Sequence, residues 1–338
     1  MRVIEGRHQD LPTLAGRWAL TLGTFDGVHR GHQAIVAEGQ AVAQSHGFDG
    51  AAAVSFLYHP RSILDGQRRP RILTTLRERT QLLASTGLDL LVLLQFDESL
   101  AALEYDVFVR EILRDRLGLA HFVLGHDVHF GRGRRGNVNS VTELAEAEGF
   151  GVSQVASVRA GGEPISSTRI RDRVAAGDLG AAVRLLGHPF PLSGMVVEGR
   201  RIGRTLGFPT ANLEVADAAK LLPAHGVYAA WAGWDAQEGW RQAVVNIGIA
   251  PTVSATGMVR VEAHVLDGSW DLYGRGLQLA LVAQVRAEAR FAGPEELRAQ
   301  IGRDVAEART LLTPAAEPGV SRPAWPAGWT LDSPKGQN

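Results

Sequence analysis

The chain has no cysteine among its 338 residues. That absence excludes disulfide scaffolds, thiol nucleophiles, thiolate zinc sites and cysteine-held iron–sulfur clusters. An excess of one charge is also missing. The 35 basic and 36 acidic side chains leave a formal net charge of −1, which argues against a generally basic nucleic-acid binder and against a highly charged disordered chain. No apolar run approaches the ~18 residues of a membrane span; the longest, LDLLVLLQF at 88–96, is far shorter. The opening MRVIEGRHQD is charged and has no apolar signal core. The expectation is a cytoplasmic protein that binds neither nucleic acid nor membrane, as a monomer or weak homo-oligomer. What is present fits a folded enzyme-sized chain: 45% of residues are hydrophobic and 21% charged. The length predicts about two domains, each large enough to bury its own core.

Residues 1–187 alternate between two periodicities. Continuous apolar runs at 18–23, 51–56, 88–94, 122–125 and 151–158 read as strands covered on both faces. Between them, 32–47, 76–87, 105–118 and 140–149 read as helices. Gly47, Gly87, Gly118 and Gly149 stand where a left-handed residue ends each helix, and Ser140 with Glu143 suggests a capping box. Such alternation predicts an α/β fold with a parallel sheet. Residues 166–187 suggest two short helices joining two parts. After Pro189 the pattern changes to short β-like runs (MVVEG, GVYAAWAGW, RQAVVNIG, VRVEAHVLD, LQLALVAQVRAEARF) broken by Gly, Pro and Asp. That predicts a small antiparallel barrel or sandwich. A helix over 294–312 follows, opened by Pro294 and two Glu, and 314–338 is a Pro-rich tail expected to be flexible.

Two segments of the first half carry chemistry. Gly23-Thr24-Phe25-Asp26-Gly27-Val28-His29-Arg30-Gly31-His32 lies where the first strong strand ends and the first helix begins. Ligands bind at that edge of an open α/β sheet, and a helix start favours phosphate. His29 and His32, three apart, share one face of the first turn and can donate hydrogen bonds to phosphate oxygens in a transition state. Gly23 and Gly27 permit close backbone approach. The plain alternative is a glycine-rich turn with solvent-facing histidines. In Ile165-Ser166-Ser167-Thr168-Arg169-Ile170-Arg171, hydroxyls run into a helix and Arg171 lies one turn on from Ser167 and Thr168. Hydroxyl, backbone N–H and guanidinium together suit a leaving pyrophosphate; otherwise the run is an ordinary helix cap.

Two more lie in the second half. In the stretch from Gly199 to Asn212, GxxxGRT is one residue too short for a Walker loop and has Arg for Lys. What remains is a glycine-rich loop with Gly203 and Arg204, able to fold over a polyphosphate. Thr210 and Asn212 share a side if the run is extended, and both offer hard oxygen ligands suited to Mg²⁺ shared with phosphates. In Val261-Glu262-Ala263-His264-Val265, Glu262 and His264 take one face of a strand and the apolar residues the other. A carboxylate there can take a proton from an alcohol during phosphoryl transfer; a half-exposed surface Glu is the plain alternative. Gly131-Arg132-Gly133-Arg134-Arg135-Gly136 fits GxGxxG, but no helix opens on it and no acid follows at the required distance, so it is not a dinucleotide fingerprint.

Taken in order, GTFDGVHRGH, SFLYHP, LGHDVHFGRGRRG, ISSTRIR, GRTLGFPTANL, NIGIAPTV, VEAHVLD and DLYG resemble the motifs of the bacterial bifunctional riboflavin kinase/FMN adenylyltransferases, over roughly 1–312. The resemblance implies an α/β nucleotidylyltransferase-like (Rossmann-like) parallel-sheet domain at 1–187. A small antiparallel β-barrel riboflavin-kinase-like domain with a C-terminal helix would follow at 188–313. The implied reactions are phosphorylation of riboflavin by ATP to FMN and adenylylation of FMN to FAD with release of pyrophosphate, with Mg²⁺ as cofactor. Gly23, Phe25, Asp26, Gly27, His29, His32 and Asp127 would serve ATP in the first domain, and Ser167, Thr168 and Arg171 the departing pyrophosphate. Gly203, Arg204, Thr210 and Asn212 would serve ATP in the kinase, Thr210 and Asn212 also the metal, and Glu262 would be the base for the ribityl hydroxyl. Tyr58, Val128 and Ala263 stand where the family usually has Pro, Phe and Val. Two other readings stay open at the level of sequence. One is an adenylyl- or cytidylyltransferase for another phosphorylated acceptor with a merely binding barrel. The other is a non-catalytic flavin- or RNA-binding regulator.

Overall fold

The computed structural model of the chain describes residues 1–60, 71–199, 203, 206–215, 217–249, 259–313 and 322–324. Arg204, part of the 246–253 motif and nearly all of the expected tail lie outside the described residues. The chain divides into two compact units, Met1–Arg71 with Arg79–Ser166, and Ile72–Glu78 with Ser167–Asn338.

In the first unit the apolar runs form strands: β1 (Arg2–Gly6), β2 (Trp18–Leu22), β3 (Gly50–Phe56), β4 (Leu90–Leu94), β5 (Leu119–Gly125) and β6 (Gly151–Val155). They make one parallel sheet in the order β1-β4-β3-β2-β5-β6. β4 is buried at every residue, as expected of a strand covered on both faces. The longer helices among the described residues are α1 (Arg30–His46), α2 (Leu76–Ser85, in this unit from Arg79) and α3 (Val138–Glu148). α1 buries Val36, Gly39, Val42 and Ala43 on one face. At Gly39 a β-carbon would come 3.6 Å from Ala51 Cβ, an ordinary contact that shows how closely the helix packs on β3. From β2 the chain steps outward to β3 and β4, then crosses back to β5 beside β2. The β2/β5 border is therefore the point where strand order reverses, at whose carboxyl end such sheets bind ligands.

Local details depart from expectation in three places. The capping box of α3 is Asn137 with Ser140, not Ser140 with Glu143: Asn137 Oδ1 accepts from Ser140 N at 3.3 Å, and Ser140 Oγ accepts from Asn137 N at 3.0 Å. The helix starts at Val138, which puts Ser140 at its third position. β1 gives no clear strand signal because it is short and alternates between exposed and half-buried residues at the sheet edge. The helical stretch near 105–118 is a single turn, Tyr105–Val107, continued by a π-helical segment, Phe108–Arg114.

After a small hairpin, β7 (Arg159–Ala160) and β8 (Glu163–Pro164), the second unit opens with α4 (Ser167–Ala175) and α5 (Leu179–Leu186). Six strands follow: β9 (Phe190–Val197), β10 (Ala211–Val215), β11 (Gly226–Gly233), β12 (Arg241–Ile249), β13 (Val259–Val265) and β14 (Gly276–Ala287). They close into an antiparallel barrel in the order β10-β13-β12-β11-β14-β9. The barrel is the predicted one with a strand more. β10 (ANLEV) alternates apolar and polar residues but is only five residues long, too short to stand out as a β run. α6 (Pro294–Leu312) follows with Pro294 and Glu295/Glu296 in its first turn, as read from sequence.

A buried ion pair fastens this unit. Lys220 is fully enclosed and Glu78 is 2% exposed. Lys220 Nζ donates to Glu78 Oε2 at 2.7 Å, to Pro191 O at 2.6 Å and to Leu73 O, and lies 4.3 Å from the Phe190 ring centroid. Glu78 also accepts from Ser193 Oγ at 2.8 Å and Thr75 N at 2.9 Å. Both charges are thus paired and hydrogen-bonded, the condition under which a buried pair is tolerated. Lys220→Met leaves the Glu78 carboxylate enclosed without its cation, and should cost about 3–5 kcal/mol in urea denaturation. Adding Glu78→Leu should recover most of that loss; a single variant as stable as wild type would show that water reaches the site.

Candidate active sites

The first candidate site is the turn from β2 into α1. Its backbone is bent by three residues in the left-handed region: Phe25 (φ 51°), Gly27 (φ 85°) and Val28 (φ 40°). Two of them are not glycine, so this is stored strain of the kind found at ligand sites. Val28 N donates to Phe25 O at 3.0 Å to close the turn. Asp26 and His29 are buried, and the His29 and His32 rings stack at 3.7 Å between centroids with 18° between planes. Phe25 meets His32 edge-on at 5.2 Å. At Gly31 a β-carbon would lie 3.1 Å from the His29 ring, so glycine is what lets that ring fold back.

Arg79, from α2, holds the turn from below. Its Nη1 donates to Thr24 O at 3.0 Å and its Nη2 to Phe56 O, joining the carboxyl ends of β2 and β3. Ser55 Oγ donates to the same Thr24 carbonyl at 3.3 Å. Burial pulls Arg79 down to about 10, against the opposing field of Asp26. His32 is held well below its ordinary value of 6.5, first by burial and then by the neighbouring His29 and Arg79. Its Nδ1 has no hydrogen-bond partner among the described residues. His32 is therefore neutral near pH 7 and offers an N–H without a charge. The sign of the linkage follows: below 6.5 the unfolded chain takes up a proton that folded His32 resists, so stability falls with pH. Urea denaturation at several pH values from 7.5 downwards should show wild type losing more stability than His32→Gln; parallel curves would place His32 in water.

Sequence reasoning found Gly23, Phe25, Asp26, Gly27, His29 and His32, and all six sit in this turn. It missed Arg79, whose partners lie 23 and 55 residues away and leave no local signal. Asp127 lies in the exposed turn after β5, the strand beside β2, with its carboxylate 3.8 Å from His126 Nδ1. Ser167, Thr168 and Arg171 belong to the second compact unit. There Ser167 and Thr168 open α4 and Arg171 lies one turn on, its Nη2 donating to Thr168 Oγ1 at 3.1 Å.

The second candidate site is a cavity of about 360 Å³ in the second unit. Gly203, Thr210, Asn212, Glu262 and His264 all line it. Strand register explains the grouping: Glu262 of β13 is paired with Asn212 of β10 on one side and Asn246 of β12 on the other. Val261, Ala263 and Val265 are buried on the opposite face of β13, so the alternation predicted for this strand holds. His264 Nδ1 is 2.8 Å from Pro209 O; a carbonyl only accepts, so the proton sits on Nδ1. The His264 ring meets Phe208 edge-on at 5.5 Å. At Gly203 a β-carbon would fall 2.3 Å from Phe208 O, and only glycine permits that approach. Asn246 carried no assigned role in the sequence, and only register places it beside the carboxylate.

The donor set bears on a metal. Among the described residues, no three His, Asp or Glu side chains converge as ligands. Thr210 and Asn212 supply a hydroxyl and a carboxamide on the same side of the cavity as the Glu262 carboxylate. That suits a hard cation which takes most of its ligands from phosphates and water, as Mg²⁺ does, and not a full protein cage.

A strained turn at the switch point of a parallel sheet, followed by a closed barrel with a carboxylate in its pocket, defines a two-site group-transfer enzyme. Known proteins narrow that class. Residues 12–169 match the family model described as FAD synthetase, and residues 186–312 the one described as riboflavin kinase. A Pseudomonas fluorescens protein named bifunctional riboflavin kinase/FMN adenylyltransferase is 38% identical over 316 residues, covering 94% of this chain and 99% of that one. The protein of the same name from Escherichia coli (strain K12) is 36% identical over 324 residues, covering 96% and 100%. A crystal structure described as a macrolide-efflux protein from Streptococcus pneumoniae aligns with a TM-score of 0.81 at 27% identity, covering 91% and 99%. Among the described residues, no helix is long and apolar enough to cross a membrane. The chain belongs to the family of bifunctional riboflavin kinase/FMN adenylyltransferases.

Proposed function

We propose that this chain phosphorylates riboflavin to FMN in its domain at 188–313 and joins FMN to the AMP part of ATP in its domain at 1–187, giving FAD and pyrophosphate. The observation that carries the reading is Glu262, set by register between Asn212 and Asn246 in the barrel cavity. In the kinase step, Glu262 accepts the proton of the ribityl 5′-hydroxyl as its oxygen bonds to the γ-phosphorus, and the bond to ADP breaks. Thr210 and Asn212 would hold Mg²⁺ and ATP phosphates, and Gly203 and Arg204 would also serve ATP. When bound, the ion supplies charge neutralisation to the phosphates.

The adenylyl step needs no base, because the FMN phosphate is already an anion. Its oxygen attacks the α-phosphorus and pyrophosphate leaves. The work of the site is alignment and charge neutralisation. His29 and His32 donate to ATP phosphates; Gly23, Phe25, Asp26, Gly27 and Asp127 shape the nucleotide cleft. Ser167, Thr168 and Arg171 take the departing pyrophosphate, a role supported by their place at the start of α4. Both reactions draw on ATP, which supports a cytoplasmic enzyme; we assign it to a monomer or weak homo-oligomer and give 314–338 no role in catalysis. The test is incubation with riboflavin, ATP and Mg²⁺ followed by chromatography. FMN and then FAD are expected. FAD from supplied FMN but none from riboflavin would leave a transferase with a merely binding barrel.

A further inference from the structure

The wall of the barrel cavity has two sides. β10, β12 and β13 supply Asn212, Asn246, Glu262 and His264, whereas α6, the end of β14 and the segment between them supply the apolar Phe291, Leu297 and Ile301 together with the charged Arg286, Glu288 and Asp304. Leu297, Ile301 and Asp304 recur at helical spacing and so share one face of α6. Along that helix no residue before Asp304 is buried; Leu297 and Ile301 stay half-exposed toward the cavity, and full burial of apolar residues begins only at Ala308 and Leu312. The N-terminal half of α6 thus stands off the barrel with the cavity beneath it. Its first enclosed tie is polar.

That tie is a bidentate pair. Arg286, near the end of β14, donates from Nε to Asp304 Oδ1 at 2.9 Å and from Nη2 to Oδ2 at 2.9 Å. Gln300 Nε2 gives Oδ1 another bond at 2.8 Å, and Asp304 is 3% exposed. The same guanidinium lies 5.4 Å from the Phe291 ring centroid. One cation therefore fixes Phe291 directly and, through Asp304, the face carrying Leu297 and Ile301. A fork-to-fork pair fixes direction as well as distance, which a lysine or an apolar contact does not.

We infer that Arg286 and Asp304 are positioning residues for riboflavin, holding the N-terminal half of α6 so that Phe291, Leu297 and Ile301 form the apolar wall for its ring system. The inference rests on the kinase reading of the cavity. Both residues line the cavity from β14 and α6, not from β10 and β13, which carry Asn212 and Glu262. Loosening the pair therefore weakens flavin binding and leaves the phosphate end of the cavity, built on β10 and β13, as it was.

The experiment is steady-state kinetics of the full chain carrying Asp304→Asn, which keeps the shape and removes the charge. KM for riboflavin should rise about tenfold or more while KM for ATP and kcat at saturating riboflavin hold within about threefold, the pattern of lost ground-state positioning. FMN-to-FAD conversion should not change. Equal rises in both KM values, or a fall in melting temperature with neither KM moved, would overturn the inference and leave a merely structural pair. If Asp304→Asn does not fold, Gln300→Leu removes only the outer bond and should raise the riboflavin KM alone, by about threefold; an unmoved KM there overturns the inference too. Wild-type protein that makes no FMN from riboflavin would defeat the kinase reading instead. Titration with riboflavin, followed by its fluorescence, would then still ask whether Asp304→Asn weakens the flavin site.

Discussion

Glu262→Gln should stop riboflavin phosphorylation almost completely while leaving the conversion of FMN to FAD at its wild-type rate. Glutamine keeps the length and planarity of the side chain, so the pairing of β13 with β10 and β12 around position 262 is undisturbed. What it removes is the ability to accept a proton. A primary alcohol near neutral pH is a poor nucleophile until that proton leaves, and loss of a positioned base typically costs ~10²–10⁴ in rate. Because the loss falls on the chemical step, kcat should drop and KM for ATP should hold. Quantifying FMN and FAD by chromatography, from riboflavin and separately from FMN, reads both reactions in one preparation. FMN formation within tenfold of wild type would remove Glu262 from the role of base. A parallel loss of both activities in a folded protein would mean that the two reactions do not have separate sites.

Local physics made the scaffold legible in advance. β4 is five apolar residues in a row because both its faces are covered, and the helices of the first unit end at glycines that the structure holds at positive φ: Gly47, Gly87 and Gly149. The alternation in VEAHV was enough to put Glu262 and His264 on one face of a strand. Hidden features fall into two groups. Short elements such as β1 and β10 are five residues each, too few to set a period apart from chance. The other group consists of buried charges whose partners are remote in sequence. Arg79 reads as one more arginine in LRERT, Lys220 as a loop lysine and Asp304 as a helix-surface acid, yet each is enclosed and meets a group brought to it only by the fold. Such residues look soluble, because composition cannot distinguish a solvated charge from a satisfied one. The same limit applies to grouping. That residues 72–78 belong with the barrel unit follows from the Lys220–Glu78 pair and the bonds around it, none of which has a local signature.

The paired histidines allow the converse test. His29→Ala together with His32→Ala should lower FMN adenylylation by about 10²–10³, the scale of losing oriented donors to a developing phosphate charge, and leave riboflavin phosphorylation intact. Starting from riboflavin, FMN should then accumulate where wild type carries it on to FAD. The two rings stack at 3.7 Å, and each helps to orient the other. The single variants should therefore not add up: either alone should cost most of what the pair costs, as expected of groups that act as a unit. Neutrality of His32 shapes the expectation further. A ring held below its ordinary pKa by burial and by its neighbours contributes a directed N–H and not a charge, so an added cation is no substitute for it. The backbone of the turn, fixed by Arg79 through Thr24 O, does not depend on either ring and should survive the double change. Pyrophosphate release measured alongside FAD would check that the lost step is the transfer itself. A double variant that still makes FAD within a few-fold of wild type would show that the turn binds nucleotide through its backbone alone, with the imidazoles as packing.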